Sequence, residues 1–362
     1  MPIPRGEMLK GCRVLELAGV LAGPSVGMFL AELGAEVTKV ENPNTGGDIT
    51  RQWKLPSEDP GSKVSAYFCS ANWGKKHIFL DLKEAGHLSR VYELAKHSDI
   101  VITNFKTGDD IKLGLDYESL KKQKPDIIYA SITAYGDKDP RLAYDLVLQA
   151  EGGFMHMNGT PESGPLKMPL AMIDMLAAHQ LKEGILLALM NKMKTGKGCH
   201  VSASLLQSAV SALTNQATNY LMAGHVPGLA GSAHPNIAPY GDTIHTAEGK
   251  QVVLAIGTDK QFAKLCSVLQ VPELASDSRY AVSRARVSNR ESLMEALRIP
   301  AAKMNAAELV QKLQEEGVPA GMIKNLAEVF AMDKAKEMIL EENADGLLTQ
   351  RVSSLGFTFS ED

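Results

Sequence analysis

Short apolar runs alternate with helix-forming stretches through the first 136 residues, and this alternation limits the possible folds more than any other feature of the chain. RVLEL (13–17), AEVTKVE (35–41), HIFLDL (77–82), DIVITNF (99–105) and DIIYASITAYG (126–136) read as strands. SVGMFLAELG (25–34), AGHLSRVYELAKHS (85–98) and YESLKKQKP (117–125) read as helices between them. Strand, helix, strand at this spacing predicts βαβ units in an α/β fold, with a parallel sheet covered by helices on both faces.

Helical patterns follow at 175–194 and roughly 200–223, and the Gly/Pro-rich segment GHVPGLAGSAHPNIAPYG (224–241) then marks a boundary. DTIHTAEGKQVVLAIG reads as a hairpin, and helices are predicted at 259–269, 290–298 and 305–317 before the apolar PAGMIKN. This change of texture predicts a smaller α+β domain over 225–325, set between 1–224 and 326–362. The last forty residues read as one helix, a strand-like tail and an acidic end.

A formal net charge of −4 argues against a general nucleic-acid binder, although a local basic site for a small anion remains compatible with it. The longest uncharged apolar run near the start, GVLAGPSVGMFLA, has 13 residues and contains Gly and Pro, too short for a membrane span. No basic stretch with a cleavage site precedes it, so no membrane association is expected. Cys12, Cys69, Cys199 and Cys266 are scattered, which fits free thiols in a cytoplasmic protein. His225 and His234 are the nearest histidine pair and read as loop residues, so no metal is expected.

The strand, glycine turn, helix and second strand ending at Glu41 invite comparison with a dinucleotide site. The glycines fall at Gly19, Gly23 and Gly27, however, giving G-x-x-x-G-x-x-x-G in place of G-x-G-x-x-G. That spacing does not bring backbone N–H groups up to a pyrophosphate. A phosphate loop of the form G-x-x-x-x-G-K-[ST] is also absent.

Residues 168–184, MPLAMIDMLAAHQLKEG, hold one acid, Asp174, just before a strongly helical run. Taken alone it reads as a helix cap, since Asp accepts hydrogen bonds from the first free N–H groups and suits the positive end of the dipole. Its neighbourhood suggests more. GCRVLELAGVLAGPSVGMFLAELGAEVTKVENPNTGGDITRQW (11–53), ANWGKKHIFLDLK (71–83), DIVITNFKTGDDIKLGLDYESL (99–120) and YDLVLQAEGG (144–153) precede it in order. MPLAMIDMLAAHQLKEGILLALMNKMKTGKGCHVSASLLQSAV (168–210), HPNIAPYGDTIHTAEGKQVVLAIGTDKQFAKLC (234–266) and R-x-x-N-R (286–290) continue the series. Each motif is weak alone, but in this order and spacing they resemble the class III CoA-transferase family, which includes formyl-CoA and carnitine CoA-transferases and 2-methylacyl-CoA racemases.

That resemblance implies a Rossmann-like large domain built from both chain ends, a small domain between them, and two chains interlocked as a homodimer. It implies an acyl-CoA and a small carboxylic acid as substrates, with coenzyme A as the group moved and no permanently bound cofactor. Asp174 would be the nucleophile, passing through a mixed anhydride and an aspartyl-CoA thioester. The helix start is expected to help hold it charged. By position, the family's CoA contacts fall on Leu21, Ala22, Asn42, Leu80 to Lys83, Asn104, Phe105, Lys106, Lys112, and Leu142 to Asp145, Tyr144 among them. Lys83 and Lys112 are the charges suited to a phosphate.

The racemase branch carries a histidine thirty residues before the aspartate, where this chain has Tyr144. A phenol, with an ordinary pKa of about 10, is a poor proton acceptor near neutrality, which favours the transferase. Leu21 and Asn42 replace a glutamine and an arginine of the formyl-CoA enzyme, and its tetraglycine loop has no counterpart around GSAHPNIAPYG. Oxalate and formate are therefore not the expected acids. A racemase, or a silent CoA-binding protein, remains the alternative. Met155, His156, Met157 and the 225–240 loop are the candidates for the acyl pocket.

Overall fold

The computed structural model describes residues 5–358, so the acidic end at Glu361 and Asp362 lies outside the described residues. In chain order it forms β1 (Arg13–Leu17), α1 (Ala22–Glu32), β2 (Glu36–Glu41), α2 (Ala66–Cys69), β3 (Lys75–Phe79) and α3 (Ala85–Lys96). Next come β4 (Ile100–Thr103), α4 (Asp109–Leu113), α5 (Tyr117–Gln123), β5 (Ile128–Thr133), α6 (Asp145–Glu151) and α7 (Phe154–Met157). After the short strands β6 (Gly159–Thr160) and β7 (Gly164–Pro165) come α8 (Met172–Thr195), β8 (Cys199–Ser204), α9 (Leu205–Ser211) and α10 (Thr214–Ala223).

The main sheet has six parallel strands in the order β3-β2-β1-β4-β5-β8. Its order reverses between β1 and β4, so the loops leaving those two strands diverge and open a crevice at their carboxyl ends. Helices α1 and α8 pack together against one face. On the other, Leu15, Leu17 and Val101 bury themselves against Val91 and Ala95 of α3 and Leu120 of α5. The parallel α/β sheet expected from the βαβ pattern is therefore present.

Two stretches differ: the described part of the last forty residues holds two short helices and a hairpin in place of one helix and a strand-like tail, and the expected helix over 200–223 opens as a strand. The helix expected over roughly 200–223 does not begin there: Cys199–Ser204 form β8, paired with β5 from Ile128↔Cys199 to Thr133↔Ser204. Ser204 then caps α9 by accepting from the Gln207 N–H. The helical texture of the following residues masks the strand, and Val, Ser and Cys are poor helix formers that an available sheet edge captures.

The chain divides into two compact units. The first comprises the chain up to Gly153, Met168–Ala217, and everything from Glu337 onward; the second comprises Phe154–Lys167 and Thr218–Lys336. The expected edges at 225 and 325 lie seven and eleven residues from these, and 154–167 joins the second unit as well. That unit has a three-stranded antiparallel sheet of β9 (Tyr240–His245), β10 (Gln251–Ala255) and β11 (Ala320–Met322). Helices α11 (Asp259–Val268), α12 (Ser283–Ser288), α13 (Arg290–Ala301) and α14 (Ala306–Glu315) belong to it. Its core is built from Val252, Leu254, Phe262, Leu297 and Leu309. The paired arginines of R-x-x-N-R are structural: Arg286 donates to Ala238 O and Tyr280 O, and Arg290 to Ile237 O and Asp242. Two short helices, α15 (Leu326–Phe330) and α16 (Asp333–Lys336), complete it.

The tail of the chain returns to the first unit as a hairpin, β12 (Ile339–Ala344) and β13 (Leu347–Val352). Arg351 donates to Cys69 O at the end of α2, while Ser353 Oγ and Ser354 N donate to Glu32 of α1.

Beneath α1 lies a sealed cluster of four charges. Lys39 Nζ is 2.9 Å from Glu16 and 3.0 Å from Asp48, and Lys75 Nζ is 2.8 Å from Glu16. All four side chains are at most 1% exposed. Desolvating such charges is tolerable only because the pairs are close and balanced and the remaining donors are satisfied, here by Ala18 O, Pro24 O and Asn72. The glycine series at Gly23 and Gly27 exists for this packing. A Cβ on Gly23 would lie 2.4 Å from Ala18 Cβ, and one on Gly27 would lie 1.8 Å from Glu16 Oε2.

Gly27→Ala is expected to lower stability by about 1–3 kcal/mol, the range for overpacking a filled core, measured by denaturant unfolding. Gly86→Ala, in the exposed first turn of α3 where nothing lies within 4 Å of the added carbon, should be neutral or stabilising by up to about 1 kcal/mol.

Candidate active site

The turn leaving β1 is held from both sides. Gly19 N donates to Asn104 Oδ1 at 3.0 Å, and Asn104 Nδ2 donates back to Gly19 O at 2.8 Å. The next residue, Val20, sits at φ 70°, a left-handed conformation that a β-branched residue adopts only under constraint. Asp48 supplies that constraint, accepting from Val20 N at 3.1 Å while its carboxylate is anchored to Lys39 and Thr50. The buried charge cluster thus reaches the floor of the crevice.

Two cavities adjoin there, sharing Gly19, Val20 and Phe105 in their walls. One, of about 390 Å³, contains Asp174 and is walled by Leu21, Ala22, Asn104, Lys106, Arg141 and Tyr144 among others. The other, of about 510 Å³, runs past Asn42, Leu80, Lys83 and Lys112. Sequence positions spread from 21 to 174 are therefore gathered along one crevice at the switch point of the sheet.

Individual roles differ from expectation. The Asn104 amide is occupied by Gly19, so this side chain shapes the turn. Asn42 Oδ1 accepts from Asn44 N. Lys112 is exposed and pairs with Asp109 at 2.8 Å. Tyr144 is 74% exposed at the cavity rim.

Asp145 lines neither cavity. It is buried, and its Oδ2 accepts from the backbone N–H groups of Ile173 at 2.6 Å and Asp174 at 3.2 Å. Its Oδ1 accepts from Gln149 Nε2 at 2.5 Å. Helix α8 begins at Met172 with Ala171 preceding it and no cap from its own side chains, so Asp174 is the third helical residue and not the cap. Asp145 caps the helix from outside. The expectation that the helix start would hold Asp174 charged is also reversed. Burial, with the Asp145 charge beside it, pushes the Asp174 carboxyl up to about 7.

Other residues of the site carry no sequence motif that reveals them. Tyr67, on α2, is pushed above its ordinary range by burial and by the charges of Asp174, Asp145 and Asp48, which places its phenol within their field. Its ring packs edge-on against Trp53 at 5.0 Å. Glu41, the acid that ends the second strand, is fully engaged: Arg51 meets both its oxygens at 2.7 Å and His77 Nδ1 lies 2.7 Å away. Although burial disfavours its charge, these partners hold it well below the usual carboxylate range. Met155, His156 and Met157 lie on α7 and, like the 225–240 loop, belong to the second unit. No cluster of metal ligands occurs among the described residues, and no helix among them is long and apolar enough to cross a membrane.

A model of CoA-transferase family III matches residues 9–361. The succinate–glutarate CoA-transferase of Agrobacterium fabrum is 40% identical over 333 residues, covering 90% of this chain and 82% of that protein. The mouse succinyl-CoA:glutarate CoA-transferase is 37% identical, covering 89% of this chain and 73% of its own length. Among solved structures, a CAIB/BAIF family protein from Brucella suis superimposes with a TM-score of 0.83 at 39% identity, covering 99% of this chain and 93% of that one.

A carboxyl with a raised native pKa stays protonated in the folded state while the unfolded chain has already lost its proton, so stability falls as pH rises between the two values. Asp174→Asn removes that loss. The variant's melting temperature, relative to wild type, should rise steadily from about pH 4 to pH 7 and level off above it, measured by calorimetry across that series.

Proposed function

This chain belongs to CoA-transferase family III, and we propose that it transfers CoA from an acyl-CoA to a free carboxylic acid with Asp174 as covalent nucleophile. The observation carrying this reading is a half-buried carboxyl, lifted toward neutrality, in the wall of one of two adjoining cavities of about 390 and 510 Å³. An Asp174 oxygen attacks the thioester carbon, and the C–S bond breaks as CoA thiolate leaves with the electron pair. The resulting mixed anhydride is opened by that thiolate at the Asp174 carbonyl, releasing the donor acid and leaving an aspartyl-CoA thioester. The acceptor carboxylate repeats the cycle in reverse. Each step exchanges one activated acyl bond for another, so none needs an external energy source.

In this reading the cavity past Leu80 to Lys83 takes the nucleotide end of CoA, with Lys83, Lys106 and Lys112 meeting phosphates as mobile point charges. Leu21, Ala22, Phe105 and Tyr144 line the path of the pantetheine arm. The relatives named for succinyl-CoA and glutarate lead us to short dicarboxylic acids as both donor and acceptor. Racemisation needs a second base near the α-carbon, and no histidine lines the Asp174 cavity.

We also propose the interlocked homodimer. Leu187, Met190 and Met193 of α8 are each more than half exposed, apolar side chains that a second copy would cover. The unpaired cysteines fit a reducing compartment, and we assign the protein to the cytoplasm.

Asp174→Asn should remain folded, because the cap belongs to Asp145, yet lose at least about a thousandfold in turnover with succinyl-CoA and glutarate. Hydroxylamine should trap an acyl group at Asp174 in wild type and none in the variant, read by mass spectrometry. Retained transfer in a folded Asp174→Asn variant would disprove the assignment. Sedimentation should return about twice the 39.0 kDa chain mass, and a particle of single-chain mass would remove the dimer.

A further inference from the structure

The carboxylate of Asp145 holds the two N–H groups at the start of α8 that an anion at Asp174 would otherwise draw on. We infer that Asp145 is the positioning residue of Asp174: it fixes the first turn of α8 from outside and presents the Asp174 carboxylate to the cavity without the helix's own donors to neutralise it.

The anchoring has three points. Asp145 Oδ2 accepts from the second and third N–H groups of α8, the donors a capping residue takes. Its Oδ1 accepts from Gln149, and Gln149 in turn donates to Leu170 O at 3.1 Å and accepts from Met168 N at 2.8 Å. Gln149 is 1% exposed, so the contacts joining α6 to the 168–174 segment are shielded from water. Sequence alone places Asp145 in a helix-starting Tyr-Asp and suggests a ligand contact; its burial and its full set of partners point to scaffolding instead.

The surroundings of Asp174 offer little else to balance its charge. From α6 it faces Asp145, and from α2 the phenol of Tyr67, which carries no positive charge. Helix α1 brings Ser25, bonded to Met175 Sδ, with its acid Glu32 tied to Ser353 and Ser354. Helix α9 carries no ionisable residue, β5 brings Tyr129, and His200 on β8 is bonded to Ser131. The cavity's cations are Lys106 and Arg141, and Arg141 is paired with Asp139. The anion at Asp174 is thus held beside another carboxylate in a partly dry pocket.

This arrangement has a chemical consequence, which rests on Asp174 being the nucleophile. When its oxygen bonds the thioester carbon and CoA thiolate departs with the C–S electron pair, the Asp174 charge passes into a neutral anhydride. Repulsion from Asp145 is therefore felt in the resting anion and released along the path to the intermediate, which speeds acylation without tightening substrate binding.

Asp145→Asn and Asp145→Ser both keep an oxygen able to cap α8 while removing the charge. In protein carrying ¹³C-carboxyl aspartate, with the Asp174 signal assigned through Asp174→Asn, that signal should titrate near pH 7 in wild type. It should titrate lower in both variants, though still above the ordinary range because burial is the larger cause. The rising limb of kcat/KM for succinyl-CoA should move with it, and single-turnover acylation at pH 8.5 should slow about tenfold with KM unchanged. An unmoved Asp174 titration in both variants, or a tenfold rise in KM with the titration unmoved, overturns the inference and returns Asp145 to the CoA contacts. A titration that moves while the kcat/KM profile does not would leave Asp145 as the positioning residue and count against Asp174 as nucleophile.

Discussion

Four charges closed off from water under the first helix hold the crevice in shape. Glu16 on β1 faces Lys39 on β2 and Lys75 on β3, and Asp48 closes the set from the loop after β2. Two cations balance two anions, so the cluster adds no net charge to the interior, and its cohesion depends on every member being in place. Because Asp48 also accepts from Val20 N, the cluster sets the left-handed turn from which both cavities open. Helix α1 approaches closely enough to cover these groups only because Gly23 and Gly27 carry no side chain. Buried electrostatics, helix packing and the shape of the binding crevice form one construction.

The second group of buried carboxyls works by the opposite rule. Asp145, the first residue of α6, meets Asp174 at the start of α8 and takes the backbone donors there. The balanced cluster raises rigidity, whereas the unbalanced pair keeps one carboxyl poised at an ionisation unusual for its type. That contrast sets Asp174 apart, since Glu16, Asp48 and Asp145 are all buried, and of these four carboxyls Asp174 alone lines the 390 Å³ cavity.

Two misreadings of the sequence trace to pairing that local composition does not record. Residues 199–204 lie in a stretch of helical texture, and they become a strand because β5 presents an open edge for them to join. Asp174 has the local chemistry of a cap, and it is displaced from that role by an acid 29 residues earlier in the chain. Asn104 and Asp145 were found as members of the site region, but their tasks depend on partners at Gly19 and Gln149. Tyr67 carried no signal at all, because only the packing of α2 brings its phenol into the field of Asp174.

The alternation of apolar runs and amphipathic helices was sufficient to determine the parallel α/β sheet, since period and turn chemistry are local properties. Spacing of the glycines likewise argued against a dinucleotide site, and the ordered motifs singled out Asp174. Which donors each carboxylate would capture was decided by the tertiary structure alone. Hydrogen bonds and charge interactions act over a few ångströms through space, and folding brings together groups that the chain keeps far apart. Asp174 is therefore readable as a letter, while its ionisation belongs to the neighbours that the fold assigns to it.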